Sequence, residues 1–296
     1  MNRTILAFIA VLLYCTAAFA TTGYTFLEIP VGARQSALGG VGVALESGPT
    51  SAAYNPALIA FAKHSSVVLM ANRHFGDTRA QFFGATISGK RFSFSPHYWG
   101  TRVGDIEYRS APTRDPISEF DAINSAFGAS VATRLTKSFA VGLTGHYLYH
   151  KIHVESSDGY AFDAGAFYRS PVKGLSFGAA VNHLGHVSEF IAEDVTLPTT
   201  VRGGATYERI IIGAGTFSVT AEGAGVKDNT PLYRGGLEYR APQFAALRLG
   251  YTEGLEAQGM SFGFGLFYSG VQIDYAFIPY KEELGEGHRF SFGLDL

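Results

Sequence analysis

The chain has 296 residues, a net charge of −2 and only 16% charged residues, against about 25% in an ordinary soluble domain. Its apolar content, with 24 Phe, 16 Tyr and 36 Gly, excludes an intrinsically disordered chain. The balance of 23 basic and 25 acidic residues, without a basic run, argues against nucleic-acid binding, and a single Cys excludes a disulfide framework or a Cys-based zinc site.

Residues 1–20 read as an export signal. Arg3 supplies a positive start, Ile5 to Leu13 an apolar stretch, and Ala18-Phe19-Ala20 a cleavage pattern, so cleavage after Ala20 is expected. Tyr14 before Cys15 is too bulky for a lipoprotein signal. No later segment is long and apolar enough for a membrane helix, so residence in a membrane requires a closed barrel.

Residues 21–64 read as a plug. From Gly32 to Ala62 small residues dominate and no strand-length alternation persists. Asn55 is placed as an N-cap and Pro56 as a first helical residue, which predicts a short helix over 56–62. Leu58, Ile59 and Phe61 would give this plug an apolar face.

Residues 65–296 alternate with period two. In 259–268, Met260, Phe262, Phe264, Leu266 and Tyr268 oppose Ser261, Gly263, Gly265 and Phe267; in the last segment Phe290, Phe292, Leu294 and Leu296 oppose Arg289, Ser291, Gly293 and Asp295. Turn signals divide this part into strands over 65–75, 79–88, 90–110, 123–135, 138–154, 159–169 and 174–185, then 198–208, 210–222, 232–241, 245–254, 259–268, 271–280 and 288–296. Their lengths suit the about 9–11 residues that span a membrane. Short turns, at Gly89, Thr136-Lys137, Ser170 to Lys173, Arg209, Pro242 to Phe244 and Ser269-Gly270, alternate with longer connections at 111–122, 186–197, 223–231 and 281–287. That asymmetry belongs to outer-membrane barrels, with short periplasmic turns and longer outer loops. It holds if 90–110 is one strand, bulged near Gly100 or Gly104. The expectation is an all-β protein, a fourteen-stranded antiparallel transmembrane barrel with an N-terminal lumen plug. Tyr147, Tyr149, Tyr168, Tyr207, Tyr239, Tyr251 and Tyr268, near strand ends, suit interfacial girdles, and Tyr98 and Trp99 lie within the third strand. A soluble β-sandwich would also alternate, but would carry more charge on its polar faces.

The parity of the strands turns Arg202, Glu222, Arg234, Glu238, Arg240, Arg248, Asp274 and Arg289 inward. Charges withdrawn from water normally find partners, so these are expected to pair with one another and with the plug; the functional alternative is a polar path or a releasable grip on the plug. Other chemistry is thin. Gly39-Gly40-Val41-Gly42 lacks the strand and acidic partner of a dinucleotide loop. His146 and His150 lie about 13 Å apart along a strand, too far to share an ion, His150 and His153 point to opposite faces, and His183 and His186 flank an expected turn without a third ligand. Ser261 lacks the spacing of a nucleophile elbow. No cofactor, metal or catalytic residue is assigned.

Three blocks open the chain: Tyr24-Thr25-Phe26-Leu27-Glu28-Ile29-Pro30, Gly32-Ala33-Arg34-Gln35-Ser36-Ala37-Leu38-Gly39-Gly40 and Ala53-Tyr54-Asn55-Pro56-Ala57-Leu58. Leu247-Arg248-Leu249-Gly250-Tyr251 and Ile273-Asp274-Tyr275-Ala276-Phe277 with Pro279, Glu283-Leu284-Gly285 and His288-Arg289-Phe290-Ser291 follow in the C-terminal half. In order and spacing the chain resembles the PorV/PorQ family of outer-membrane barrels associated with type IX secretion, related to the FadL-type long-chain fatty acid transporters. It departs from them in Leu58-Ile59 after Ala57, in its terminal Leu296 and in its modest outer loops. The resemblance implies an outer-membrane accessory of protein secretion that binds secretion-system components or exported cargo without catalysis. The alternative is passive uptake of a hydrophobic small molecule, with Leu58, Ile59 and Phe61 lining a route. The partner common to both is outer-membrane lipid, and a closed barrel with no free strand edge is expected to be a monomer.

Overall fold

Fourteen antiparallel strands close on themselves in the computed structural model, each paired with its neighbours in sequence and β1 paired with β14. It describes residues 24–73, 78–109, 116–188, 195–211, 215–226, 229–242, 244–281 and 284–296. The expected export signal and its cleavage site lie outside the described residues.

The strands are β1 Ser66–Arg73, β2 Arg79–Thr86, β3 Phe92–Tyr108, β4 Ser118–Arg134, β5 Phe139–Ile152, β6 Glu155–Arg169, β7 Leu175–Val187, β8 Thr200–Ile211, β9 Gly215–Val226, β10 Leu232–Arg240, β11 Ala245–Glu253, β12 Met260–Tyr268, β13 Val271–Pro279 and β14 Glu286–Asp295. Closure runs in register from Ser66 opposite Asp295 to Arg73 opposite His288. The amide of Leu296 donates to the Ser65 carbonyl, 2.7 Å, at the short-turn end, which is the periplasmic end in barrels of this kind.

Alternation decides which residues meet which medium. Leu69, Phe94, Leu143, Leu247, Phe264 and Phe292 face outward, as do Tyr147, Tyr168, Tyr207, Tyr239, Tyr251 and Tyr268, giving an apolar belt with amphipathic rings. Small and polar residues face in: Ser95, Ser130, Thr144 and Ser261 are buried. The two-residue turn between β12 and β13 has positive φ at both Ser269 (46°) and Gly270 (84°), the backbone that matches strand twist in tight hairpins.

The wall is uneven. β3 and β4 have 17 residues each, whereas β10 to β13 have 9 each. The extra length of β3 to β6 rises at the long-loop end, where Tyr108 pairs with Ser118 and Ile152 with Glu155. β3 is a single strand, as the alternation of short and long connections requires, with its irregularity between Val103 and Ile106, where Asp105 has φ 58°.

Several boundaries differ from the sequence reading. β4 starts at Ser118 rather than near residue 123, because it continues to pair with the tall β3. Arg209 lies within β8 rather than at a turn, and His186 lies on β7, which runs to Val187. Trp99 is buried in the lumen, on the face opposite to the outward Phe94, and packs on Phe26 of the plug with ring centroids 5.4 Å apart.

Candidate functional site

The lumen is occupied by residues 24–62. A 3₁₀ turn, Thr25–Glu28, leads to the short helix α1, Ala33–Ala37. α1 ends where Gly39 and Gly40 take φ of 76° and 79° and the Gly40 amide returns to the Gln35 carbonyl, 2.8 Å, a left-handed cap that glycine adopts without strain. Two further 3₁₀ segments follow, Gly48–Ala53 and Pro56–Phe61. The second is the expected short helix, tighter than the α-form. Asn55 caps it, accepting from the Ala57 amide at 3.1 Å. The same side chain donates to the Val43 carbonyl, 2.8 Å, and to the wall carbonyl of Ala166, 2.9 Å. Asn55 thereby joins two plug segments to β6.

Glycines let the wall meet the plug backbone to backbone. A side chain on Gly142 would strike Pro56 and Ala57, one on Gly178 would strike Val43, and one on Gly250 would strike Leu38 and Gly39. On the same seam, Ser291 Oγ accepts from the Ala33 amide at 2.8 Å. Ser261 Oγ accepts from the Gly39 amide, 3.1 Å, and Thr252 Oγ1 donates to the Gly39 carbonyl, 2.8 Å.

Three charged groups on the wall hold the plug. On β9, Glu222 accepts from Arg202 and Arg234, at 3.2 and 3.3 Å, with one carboxylate oxygen. Its other oxygen accepts the plug amides of Gly42 and Val43, at 2.7 and 2.9 Å. On β10, Glu238 takes a two-pronged grip from Arg34 of α1, at 2.9 and 2.7 Å, and a further bond from Arg248 Nε, 2.6 Å. Arg248 also donates to Asp274, 2.7 Å. On β14, Arg289, wholly buried, donates to the Pro30 carbonyl and to Ser36 Oγ, both 2.7 Å. Charge-assisted bonds of this kind are shorter and stronger than neutral ones. Burial opposes the charge on Arg34, but Glu238 outweighs it and holds the guanidinium above its ordinary pKa. Burial pushes the Tyr54 phenol up to about 12, and its hydroxyl donates to the Val31 carbonyl at 2.9 Å.

Of the eight inward charges read from the sequence, Arg202, Glu222 and Arg234 form one group, and Glu238, Arg248 and Asp274 another, with Arg289 apart. Arg240 differs: it sits at the short-turn rim with its side chain 42% exposed, 3.8 Å from Glu238 and over the ring of Phe267. Leu58, Ile59 and Phe61 are packed solid against Ala132, Ala140, Phe167 and Ala180, with Arg169 above the Phe61 ring. A cavity of about 320 Å³ remains beside them, between the plug and the β13–β14–β1 sector, lined by Gln35, Leu58, Ser66, Gln272, Ser291 and Asp295 among others. Sequence reasoning missed Arg34, although it is the only Arg or Lys between Tyr24 and Ala62. It also missed the grouping of His97, His146, Asp163 and His183, which strand register brings together.

A family model described as "Type IX secretion system protein PorV" matches residues 16–174. No curated protein sequence matches the chain. Among solved structures, the CymD monoaromatic hydrocarbon channel superposes with a TM-score of 0.71 at 12% identity, covering 90% of this chain and 98% of that one. The toluene transporter TbuX of Ralstonia pickettii gives 0.62 at 13%, covering 90% and 98%. The toluene transporter TodX of Pseudomonas putida gives 0.61 at 12%, covering 94% and 98%. At such identities the likeness is one of fold.

Proposed function

We propose, from the premise that this chain belongs to the PorV family of type IX secretion system proteins, that it is an outer-membrane accessory of protein secretion acting by binding partner proteins or exported cargo. The observation that carries this reading is the fixed interior. Three charged groups and a glycine seam hold the plug against the wall around β5 to β14, which leaves the rims as the working surfaces. The tall β3–β4 hairpin offers a preorganised one at the long-loop end. No bond-making step is assigned to it. In this reading residues 1–20 are an export signal removed after Ala20, 21–64 the plug and 65–296 the barrel, which works as a monomer.

Affinity purification of the tagged protein from its own outer membranes in mild detergent, with mass spectrometry of bound proteins and lipids, tests this. Secretion components or exported proteins in near-stoichiometric amounts support it. A barrel recovered without protein partners sinks it.

The cavity between the plug and β13–β14–β1 favours a second reading, passive transport of a hydrophobic small molecule as in FadL-type channels. Its path would run past Leu58 and Ile59 and require the plug to shift. Bound fatty acid or another hydrophobic molecule in the same purification, without partner proteins, would favour it.

A further inference from the structure

The short-turn rim is basic, and strand parity decides which medium its charges meet. Lys90 and Arg91 lie between β2 and β3, Lys137 between β4 and β5, Lys173 between β6 and β7, and Arg209 near the end of β8. All are exposed, and among the described residues none of them forms an ion pair. The carboxylates at this end face the other way. Glu46 belongs to the plug and is held by Arg169 at 2.6 Å. Glu208 stands opposite the buried Ser218, and Asp295 opposite the buried Ser66, so both are on the lumen side. Among the described residues, the lipid side of the rim from β2 to β9 is therefore positive without a counter-charge.

Apolar side chains lie beside these cations. Ile87 and Phe92 flank Lys90 and Arg91, Leu135 precedes Lys137, Val172 precedes Lys173, and Ile210 follows Arg209; all five apolar residues are exposed. The Arg91 guanidinium lies 5.3 Å from the centroid of the outward Phe92 ring, and Phe217, also exposed, stands opposite Arg209. Charged heads on long stems above exposed apolar surface are how Lys and Arg sit at the edge of a membrane. Successive short turns are two strands apart, about 10 Å along the rim, so each turn meets its own headgroup. At the other end of the same wall cations are paired: Arg102 with Asp121 at 2.6 Å and Arg109 with Glu107 at 2.7 Å.

We propose that the β2–β9 half of the short-turn rim is a binding surface for anionic phospholipid headgroups of the periplasmic leaflet, with Arg91, Lys137, Lys173 and Arg209 holding the phosphates. Phosphate oxygens accept from Lys as from a point charge and from Arg through its planar fork. An acidic soluble protein would match the charge, but not the apolar residues beside the cations. The tall strands β3 to β6 rise from this same half, so bound lipid anchors the barrel beneath its long-loop surface. This inference does not depend on what that surface binds.

The test is native mass spectrometry of the full mature barrel in non-ionic detergent, titrated with dioleoyl phosphatidylglycerol or dioleoyl phosphatidylethanolamine. A Lys or Arg near an anionic membrane is worth about fivefold in binding. The wild type should retain the anionic lipid at least about tenfold better than the zwitterionic one, and Lys137→Gln with Lys173→Gln should cut that preference about tenfold. Lys151→Gln, exposed towards the long-loop end, should leave it unchanged. Equal retention of the two lipids by the wild type overturns the proposal, as does a preference that survives the double substitution. Displacement of the lipid by excess inorganic phosphate overturns it in favour of a free-anion site. Binding of poly-glutamate by a barrel without lipid preference overturns it in favour of an acidic protein.

Discussion

Arg34 and Glu238 are 204 positions apart in sequence, yet the guanidinium of the first grips the carboxylate of the second through two hydrogen bonds across the plug–wall boundary. Glu238 is also the acceptor for Arg248. Removing it leaves two buried guanidinium groups without that partner, a loss worth about 3–5 kcal/mol where one member of a buried pair is deleted. Glu238→Ala should therefore lower the temperature at which the folded barrel loses its electrophoretic heat-modifiability. Arg34→Met, which removes that guanidinium and keeps its bulk, should cost less, because Glu238 keeps Arg248. Unchanged heat-modifiability of Glu238→Ala would show that the network contributes nothing to stability.

The glycine seam makes a separate prediction. Gly250→Val places atoms where Gly39 and Leu38 already lie, and overpacking of this kind costs about 1–3 kcal/mol. The plug is the less strongly paired partner and should yield first. Arg34, shielded in the folded barrel, would then be open to trypsin. Limited proteolysis should cut Gly250→Val after Arg34 while the wild type and the outward-facing control Leu249→Val resist.

The barrel was legible because one physical rule, alternation against a lipid exterior, acts on every strand. The same parity also placed Glu222, Arg234, Glu238 and Arg248 inward, and hairpin neighbours then put Glu222 opposite Arg234 and Glu238 opposite Arg248. Trp99, read from the sequence only as lying within the third strand, is turned inward by the parity it shares with Ser93 and Ser95. The contacts of Arg34 and Ser291 were not legible, since nothing local couples a plug residue to a strand more than 200 positions away. The bulge that sets His183 against Asp163 likewise follows from strand register and not from spacing.

Tyr54 gives the plug a measurable response to alkali. Its folded pKa is pushed up to about 12 by burial, against about 10 in an unfolded chain. Between those values the unfolded chain has lost the proton that the folded one keeps, so stability is fully present below pH 10 and falls towards pH 12, by up to about 3 kcal/mol. Tyr54→Phe should flatten that part of the stability profile while losing the bond to the Val31 carbonyl at neutral pH. Denaturant unfolding at pH 8, 10 and 11.5 measures it, and parallel profiles for the two proteins would refute the assignment.

A covalent lock on the plug separates the two functional readings. A side chain on Gly263 would place its Cβ 2.5 Å from the Cβ of Ala37 and 2.4 Å from the Tyr275 carbonyl oxygen, and a disulfide needs about 3.8 Å, so the bond requires the β12 backbone to move away from both. The only natural cysteine, Cys15, falls within the expected export signal, so Ala37→Cys with Gly263→Cys should form one bond that ties α1 to β12. If the protein works through its rims, the oxidised double variant should capture the same partners, in the same amounts, as its reduced form. If it conducts a hydrophobic molecule past a moving plug, uptake of a labelled long-chain fatty acid by cells carrying it should fall to background on oxidation and return on reduction. The two readings place opposite demands on the same bond, because only transport needs α1 to leave the wall.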